Sequence, residues 1–339
     1  MSARQSFLTG FASTRQGREN GFSLIELMIS VTIGLGILAG LIGVLATNSN
    51  NARTNDRTSE LMINGRYALN SMKYELRQAG FRGYTWYADF ATPATPAAMG
   101  QVVNECLETG AAAGQFVANM RQGIWGADNT NPFSSSCIPD ANYAAGNDVL
   151  VVRRAAATAI ADADLSANGV YFRSTYERGQ MFRGATPPTW SGSPAPLSSF
   201  QLLAYVYFVS PFTVSATERP LVPALRRISL NPGGSTNPVM VSELVASGIE
   251  HMQVQYGVLT TAPATQYLDS VTGTSFSPGF TDWESVNSVR IWILARNANP
   301  EPGYSNTNVY VMGNQTYDFS AAPDNYRRQL FTSVVQLRN

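Results

Sequence analysis

The chain has 339 residues, of which 44% are apolar, so it can build one large domain or two smaller ones with hydrophobic cores. Charged residues make up only 14% of the chain, and its 23 basic residues balance its 23 acidic residues. General nucleic-acid binding is not expected, because proteins with that function carry a basic excess. The single histidine, His251, excludes most histidine-based catalytic and metal sites.

The N-terminal region combines a short basic segment with a long uncharged one. Basic residues outnumber acidic ones within residues 1–21, and no charged residue occurs between Leu27 and Ala52. As a helix, this uncharged run would be about 39 Å long, which exceeds the roughly 30 Å of a bilayer core. The sequence therefore predicts a transmembrane segment at about residues 27–47, with the basic N-terminus in the cytoplasm.

Hydropathy alone leaves several interpretations of this segment open. A secretory signal peptide has a shorter apolar region and a small-x-small cleavage site, to which residues 44–46 are a loose match. A plain membrane anchor explains the hydropathy but not Glu26, a carboxylate at the start of the apolar helix with no Arg or Lys within a helical turn. A cut between Gly21 and Phe22 would supply a cation, because the new α-amino group of a neighbouring copy could pair with Glu26.

The segment from Gly21 to Ser30, GFSLIELMIS, resembles the type III signal of type IV pilins and pseudopilins. In that signal a glycine precedes the cut, a phenylalanine is the first mature residue, and a glutamate lies four positions after it. The resemblance implies that a prepilin peptidase, which is also an N-methyltransferase, cleaves after Gly21 and methylates the amino group of Phe22. It also implies that Glu26 guides docking into a helical filament.

The pattern of an amphipathic helix continues beyond the uncharged run. Apolar residues recur every three or four positions from residue 61 onwards, and no proline occurs before Pro93. Gly80 and Gly83 are natural helix ends. The resemblance implies a leader at residues 1–21, and the helical pattern predicts one long helix over residues 22–83, whose second part packs on a soluble domain.

An alternation with a period of two replaces the helical pattern and predicts a β-rich domain over residues 84–339. We expect an α+β fold in which an antiparallel sheet packs on the amphipathic half of the long helix. Residues 239–248 are ambiguous between a strand and a short helix. The eight predicted strands begin at Asp148, Gly169, Gln201, Ala224, His251, Val289, Asn308 and Phe331.

Cys106 and Cys137 are the only cysteines in the sequence. Translocation would place both in an oxidising compartment, where two cysteines indicate one disulfide. Such a bond would stabilise the fold by roughly 3–4 kcal/mol in the chain-entropy model. A metal or redox role is not expected, because no further Cys or His lies near them.

Five segments resemble the PilW-type minor pilins more specifically. They are LRQAGFRG from Leu76, GNDVLVVR from Gly146, SGIEHMQVQYG from Ser247, WESVNSVRIWILAR from Trp283 and YRRQLFTSVVQLRN at the C-terminus. The resemblance covers most of the chain from Leu76 to Asn339, with gaps in the loops. This sequence departs from the expected pattern because it lacks a cysteine soon after the helix.

The resemblance implies the type IV pilin fold and a minor pilin for type IV pilus assembly, in a tip or initiation complex that primes fibre growth. Cell adhesion and twitching motility are the associated processes. The implied partners are prepilin peptidase, other minor pilins, the major pilin, the inner-membrane assembly platform and a large tip adhesin. The protein would lie in the inner membrane with residues 84–339 in the periplasm, and would then enter the pilus. A type II secretion pseudopilin and a tip adhesin or DNA-uptake subunit remain alternatives.

Three further patterns are weak candidates for ligand sites. His251 lies in a strand-like alternation and is expected to be an ordinary strand residue. Residues 162–169 resemble a calcium loop, but Gly and Glu do not occupy the positions that an EF-hand needs. Arginine pairs at 153–154, 226–227 and 327–328 are expected at solvated strand edges rather than on DNA. We predict no enzyme activity, cofactor or metal.

Overall fold

The computed structural model describes residues 21–86, 91–92, 94–118, 120–192, 195–233, 236–259, 265–271 and 282–338. The chain divides into two compact units, Met1–Asn55 and Asp56–Asn339. The predicted leader lies outside the described residues, except for Gly21.

Helix α1 runs from Leu24 to Leu76, slightly inside its predicted range. In the part of α1 that lies in the first unit, the side chains are exposed on all sides. A helix that is apolar on every face is typical of a membrane environment. Within the described part of the chain, α1 is the one helix long and apolar enough to cross a membrane. The predicted long apolar helix is therefore confirmed, and its insertion in a membrane stays a prediction.

In the second unit, one face of α1 packs on β-structure. Leu61, Leu69 and Met72 join a core that includes the strand residues Val254 and Ile291. Each such side chain stabilises the packing by about 1.5–3 kcal/mol when it is fully buried. The long helix and the β-rich domain form the predicted α+β fold. The buried positions of α1 are Leu61, Gly65, Ala68, Leu69, Met72, Glu75 and Leu76.

The helix ends where the chain turns toward the sheet. Gly80 has a φ of 77°, in the left-handed region that glycine adopts at helix ends. Its N–H donates to the Arg153 carbonyl at 2.9 Å, and the Phe81 carbonyl accepts from the Ala155 N–H at 2.7 Å. These two bonds tie the end of the helix to a central strand.

Fourteen strands and two short α-helices follow within the described residues. The helices are α2 (Pro96–Met99) and α3 (Gln115–Ala118). The strands are β1 (Ala91–Thr92), β2 (Ile124–Ala127), β3 (Val149–Ile160), β4 (Val170–Ser174), β5 (Gly179–Arg183), β6 (Ser198–Ser210), β7 (Ala224–Asn231), β8 (Val239–Ser247), β9 (Ile249–Leu259), β10 (Thr265–Leu268), β11 (Val286–Arg296), β12 (Val309–Met312), β13 (Gln315–Asp318) and β14 (Arg328–Gln336). All eight predicted strands are confirmed, and the ambiguous segment is strand β8.

The first sheet, sheet A, has eight strands. The order β1-β5-β4-β6-β3-β2 is extended by β7 and β8, since β6 is long enough to pair with β4 near its start and with β7 near its end. Its strand pairs are antiparallel, except that β1 and β5 are parallel.

The second sheet, sheet B, has the antiparallel order β10-β9-β11-β14. One face contributes Val254, Ile291 and Val335 to the core shared with α1. The other face packs on the β12–β13 hairpin through Leu294, with Tyr310 and Met312 of β12. Strand β14 lies at the edge of this sheet.

Gly248 alone separates β8 of sheet A from β9 of sheet B. Its φ is 74°, and a Cβ there would lie 2.7 Å from the Arg296 carbonyl oxygen. The Gly248 N–H donates to the Pro223 carbonyl, and the Gly248 carbonyl accepts from the Arg296 N–H, both at 2.7 Å. The chain passes so close to the Arg296 carbonyl where it crosses from sheet A to sheet B that only glycine fits at this position.

Candidate assembly site

Glu26 lies at the third position of α1 and caps the start of the helix. Its Oε2 accepts a hydrogen bond from the Ser23 N–H at 3.1 Å, and the Ser23 Oγ accepts one from the Glu26 N–H at 3.3 Å. This reciprocal pair is a capping box, and the carboxylate also interacts favourably with the helix dipole. The sequence interpretation gave Glu26 only an intermolecular partner, although the Ser-x-x-Glu spacing already indicated the cap.

Gly21 and Phe22 precede the helix. The Phe22 side chain is 87% exposed. A Cβ added at Gly21 would meet no atom within 4 Å in the described part of the chain. The fold itself therefore gives no reason for glycine at position 21.

The first part of α1 suits a nonaqueous environment. The hydroxyls of Ser30, Thr32 and Thr47 donate to helix carbonyls at 2.9–3.0 Å, so these polar groups need no water. Exposed apolar side chains surround the helix: Leu24, Ile25, Leu27, Met28, Ile29, Val31, Ile33, Leu35, Ile37, Leu38, Leu41, Ile42, Val44 and Leu45. The single N-terminal apolar helix is consistent with membrane anchoring.

In the second unit, α1 also carries an exposed band that we call the α1 stripe. Ile63, Tyr67 and Tyr74 are 63%, 60% and 60% exposed although they are large and mostly apolar. Tyrosine and arginine are enriched at protein interfaces, and the stripe contains no acidic residue. Its members are Ile63, Arg66, Tyr67, Asn70 and Tyr74 of α1, with Arg77 in the turn that follows the helix.

An ion pair fixes the opposite face of α1 to sheet A. Glu75 and Arg154 are both buried, and the Arg154 Nε lies 2.6 Å from the Glu75 Oε2. The Arg154 guanidinium also lies 5.9 Å from the centre of the Tyr74 ring. Because a buried charge is costly without a partner, this pair holds the helix in one position on β3.

Each arginine of the three pairs has a partner within the fold. Arg153 is buried in β3, and its Nε donates to the Phe116 carbonyl at 2.9 Å. The Nε of buried Arg328 lies 2.5 Å from the Glu250 Oε2. The prediction of a solvated position is therefore wrong for Arg153, Arg154 and Arg328. The remaining partners are Glu75 for Arg154, Ser242 and the Thr213 carbonyl for Arg226, Glu243 for Arg227, and Glu301 for Arg327.

Asp148 links the two sheets from a buried position before β3. Its carboxylate accepts hydrogen bonds from the Asn129 N–H at 2.9 Å and from the Val254 N–H of β9 at 2.6 Å. Burial raises the pKa of the Asp148 carboxyl to about 7, although the two backbone donors oppose the shift; the carboxylates of Asp128 and Asp269 raise it further.

His251 lies on β9, as predicted, and its ring stacks on Tyr317 with 3.8 Å between ring centres. Burial lowers the pKa of His251 to about 4; Glu250 opposes the shift, and Arg328 and Arg296 add to it. This histidine is a neutral strand residue near pH 7.

No metal-binding arrangement occurs in the ranges that the structure describes. No group of three or more His, Cys, Asp or Glu side chains is suitably placed there. In the segment that resembles a calcium loop, Asp162 instead forms an ion pair with Arg173.

The predicted disulfide between Cys106 and Cys137 is confirmed, with the two Cα atoms 4.7 Å apart. Both cysteines join a core with Phe116, Phe133 and Ile138. The bond crosslinks a region that has little regular structure, where few helix or sheet hydrogen bonds are present to stabilise the chain.

Residues 206–339 match the family model described as Type IV Pilus-assembly protein W. The match begins within β6 and includes all of sheet B and the β12–β13 hairpin. The resembling segments from Ser247, from Trp283 and at the C-terminus lie inside it, whereas those from Leu76 and Gly146 lie outside. Comparisons with curated proteins and with solved structures gave no match.

Proposed function

We propose that the chain acts in type IV pilus assembly as a minor pilin of a tip or initiation complex, a role supported by the match of residues 206–339 to the family model of type IV pilus-assembly protein W. The observation that supports this role is helix α1. Its first part is apolar and exposed on all sides, its start is capped by Glu26, and it continues into the domain that carries the family match. The helix would anchor the stored subunit and later provide its assembly interface.

The proposed maturation is cleavage after Gly21 by prepilin peptidase, followed by methylation of the Phe22 amino group. The absence of any structural need for glycine at position 21 supports a requirement set by the peptidase. The exposure of Phe22 supports access to this residue. N-terminal mass analysis of the native protein tests the assignment, since a first residue other than methylated Phe22 would contradict it.

The proposed role of Glu26 is to pair with the α-amino group of a neighbouring subunit. The cap uses Oε2, so Oε1 remains able to accept a bond from an amine. In the membrane such a pair is worth more than in water, because the low dielectric constant of hydrocarbon strengthens the attraction between opposite charges.

The large second unit supports a subunit of low abundance. A head formed by residues 56–339 would be difficult to repeat around every turn of a thin fibre. Other minor pilins, the major pilin, the assembly platform and a large tip adhesin are the proposed partners. The proposed path leads from the inner membrane, with the head in the periplasm, to the pilus. Finding this protein as the principal subunit of sheared fibres would contradict the minor role.

Three substitutions separate the charge of Glu26 from its capping role. Glu26→Gln keeps a residue that can complete the capping box but removes the charge, so we expect normal cleavage and strongly reduced piliation. Glu26→Ala should behave in the same way. The matched control, Ser23→Ala, removes the N-cap but keeps the charge, and should assemble pili. Immunoblotting measures cleavage and electron microscopy counts pili; normal piliation by Glu26→Gln would contradict the pairing.

The family match favours a pilus subunit over a type II secretion pseudopilin. Deletion of the gene should therefore remove surface pili and leave enzyme export intact. Loss of exported enzymes with normal pili would support the secretion role instead.

A further inference from the structure

Strand β14 presents an open edge of sheet B. It pairs with β11 over nine successive residue pairs, from Ser288 with Gln336 to Arg296 with Arg328, without a register shift. No other strand pairs with it among the residues that the structure describes. The N–H and C=O groups on its outer side therefore face no partner strand in the described part of the chain and can pair with a further one. Of the β14 carbonyls, that of Leu330 also accepts a hydrogen bond from the Gln329 side chain at 3.2 Å.

The other sheet edges carry features that discourage strand addition. Strands β1, β2 and β10 contain only two to four residues each. Edge strand β8 is longer, but it contains Glu243, its pairing with β7 has a register shift, and it forms a bridge to Val103. Short length, charge and irregular pairing are the usual protections of an edge.

Strand β14 lacks these protections. The sequence from Gln329 to Leu337 is QLFTSVVQL, which contains no charged residue and no proline. Its Val334 side chain is 53% exposed. The charge of Arg328 at the start of the strand is neutralised within the fold by Glu250 and Asp324. Such an edge favours pairing with an uncharged strand of β-branched and hydroxyl side chains.

The position of this edge indicates which molecule reaches it. Just beyond β14, Arg338 lines a groove of about 460 Å³ together with Tyr74 and Arg77 of the α1 stripe. A subunit that packs on the α1 stripe would therefore lie next to the end of β14.

We propose that β14 accepts an extended, uncharged segment of a neighbouring pilus subunit as an added strand of sheet B. The proposal rests on the proposed role in the pilus. Backbone hydrogen bonds along β14 would hold the segment, and the alternating exposed side chains would select it.

The experiment uses the full-length protein in piliated cells, with the photo-crosslinking residue p-benzoylphenylalanine at position 332 or at position 214. Thr332 is an exposed residue of β14, and Val214, which is 83% exposed in a loop, is the control position. We expect an adduct only from position 332, with an extended segment of another pilus subunit identified by mass spectrometry. No adduct, equal adducts from both positions, or an adduct only with a second copy of this chain would overturn the proposal.

A substitution that places a charge on the edge strand β14 provides a second test of the proposal. Val334→Lys should lower the yield of the adduct from position 332 by about tenfold, because lysine is a natural block to edge pairing. Val214→Lys should leave the yield unchanged, and an intact disulfide in both variants shows that the head has folded. An unchanged adduct in Val334→Lys would overturn the proposal.

The deletion strain distinguishes this proposal from the proposed function. Normal pili in the absence of the protein would refute the role in assembly. If deletion abolishes pili but the full-length protein gives no adduct from position 332, only the strand addition is refuted.

Discussion

Asp148 and His251 have pKa shifts with opposite consequences for stability. The folded-state pKa of Asp148 is raised from 3.8 to about 7, so between these values the folded protein binds the proton more tightly and stability falls as pH rises. The folded-state pKa of His251 is lowered from 6.5 to about 4, so between these values the unfolded chain binds the proton more tightly and stability rises with pH. From about pH 4 to 6.5 the two contributions offset each other.

Substitution of either residue should reveal the contribution of the other. Relative to the wild type, His251→Gln should lose about 1.4 kcal/mol of unfolding free energy per pH unit as pH rises from 4 to 6.5. Asp148→Asn should gain a similar amount per unit from pH 4 to 7. Urea unfolding of the detergent-solubilised protein, followed by tryptophan fluorescence at several pH values, measures both slopes. Parallel curves for the variants and the wild type would contradict the assignment.

Individual residues also show where sequence interpretation fails. The Arg153–Arg154 pair is expected at a solvated strand edge, because charge there discourages edge pairing. The partner of Arg154 is Glu75, which lies 79 positions away in the sequence, so no local pattern could reveal the pair. By contrast, the cap formed by Ser23 and Glu26 depends on local spacing and was available from the sequence.

At the scale of elements, the contact between α1 and sheet B depends on Gly65. A Cβ at this position would overlap the ring of Phe331 on β14. Gly65→Ala should therefore destabilise the head by about 1–3 kcal/mol, as expected for overpacking, although alanine is the better helix former. The control Gly40→Ala meets no atom within 4 Å and should leave the unfolding of the head unchanged. Equal urea midpoints for Gly65→Ala and the wild type would show that the helix can shift away from β14.

Whether an element could be predicted from the sequence depended on its length and on how regularly its apolar residues recur. Long strands such as β6 and β11 were identified because apolar residues alternate over many positions. Strands β2 and β13, which were not predicted, have four residues each, so any alternation in them is short. Strand β12 has the same length and was predicted only because its residues, VYVM, are all β-formers or apolar. The place of β2 in the fold depends on a partner that is distant in the sequence, since β2 pairs with β3.

At the scale of the whole molecule, the disulfide holds the loop-rich region against sheet A. Replacing both Cys106 and Cys137 with alanine should cost about 2–5 kcal/mol of unfolding free energy. Limited proteolysis should then cut first within residues 94–143, while sheet B stays protected because its core is formed with α1. Ser135→Ala, at an exposed position two residues from Cys137, should leave the cleavage pattern unchanged. Early cleavage within sheet B would show that the disulfide supports the whole head.

The general architecture was predictable because its signals are local, namely an uncharged helix, an amphipathic continuation and alternating strands. The division into two sheets was not, since it depends on one junction residue, Gly248, and on buried links such as that from Asp148 to β9. The family match covers residues 206–339, so it reaches this junction and all of sheet B.

The junction at Gly248 has a mechanical consequence. Helix α1 is attached to sheet A by Glu75 and Arg154 and packs on sheet B where Gly65 meets Phe331. A pulling force on α1 would therefore load both sheets at once, and the short connection between β8 and β9 would transmit that load between them. The two sheets would therefore resist tension as one body.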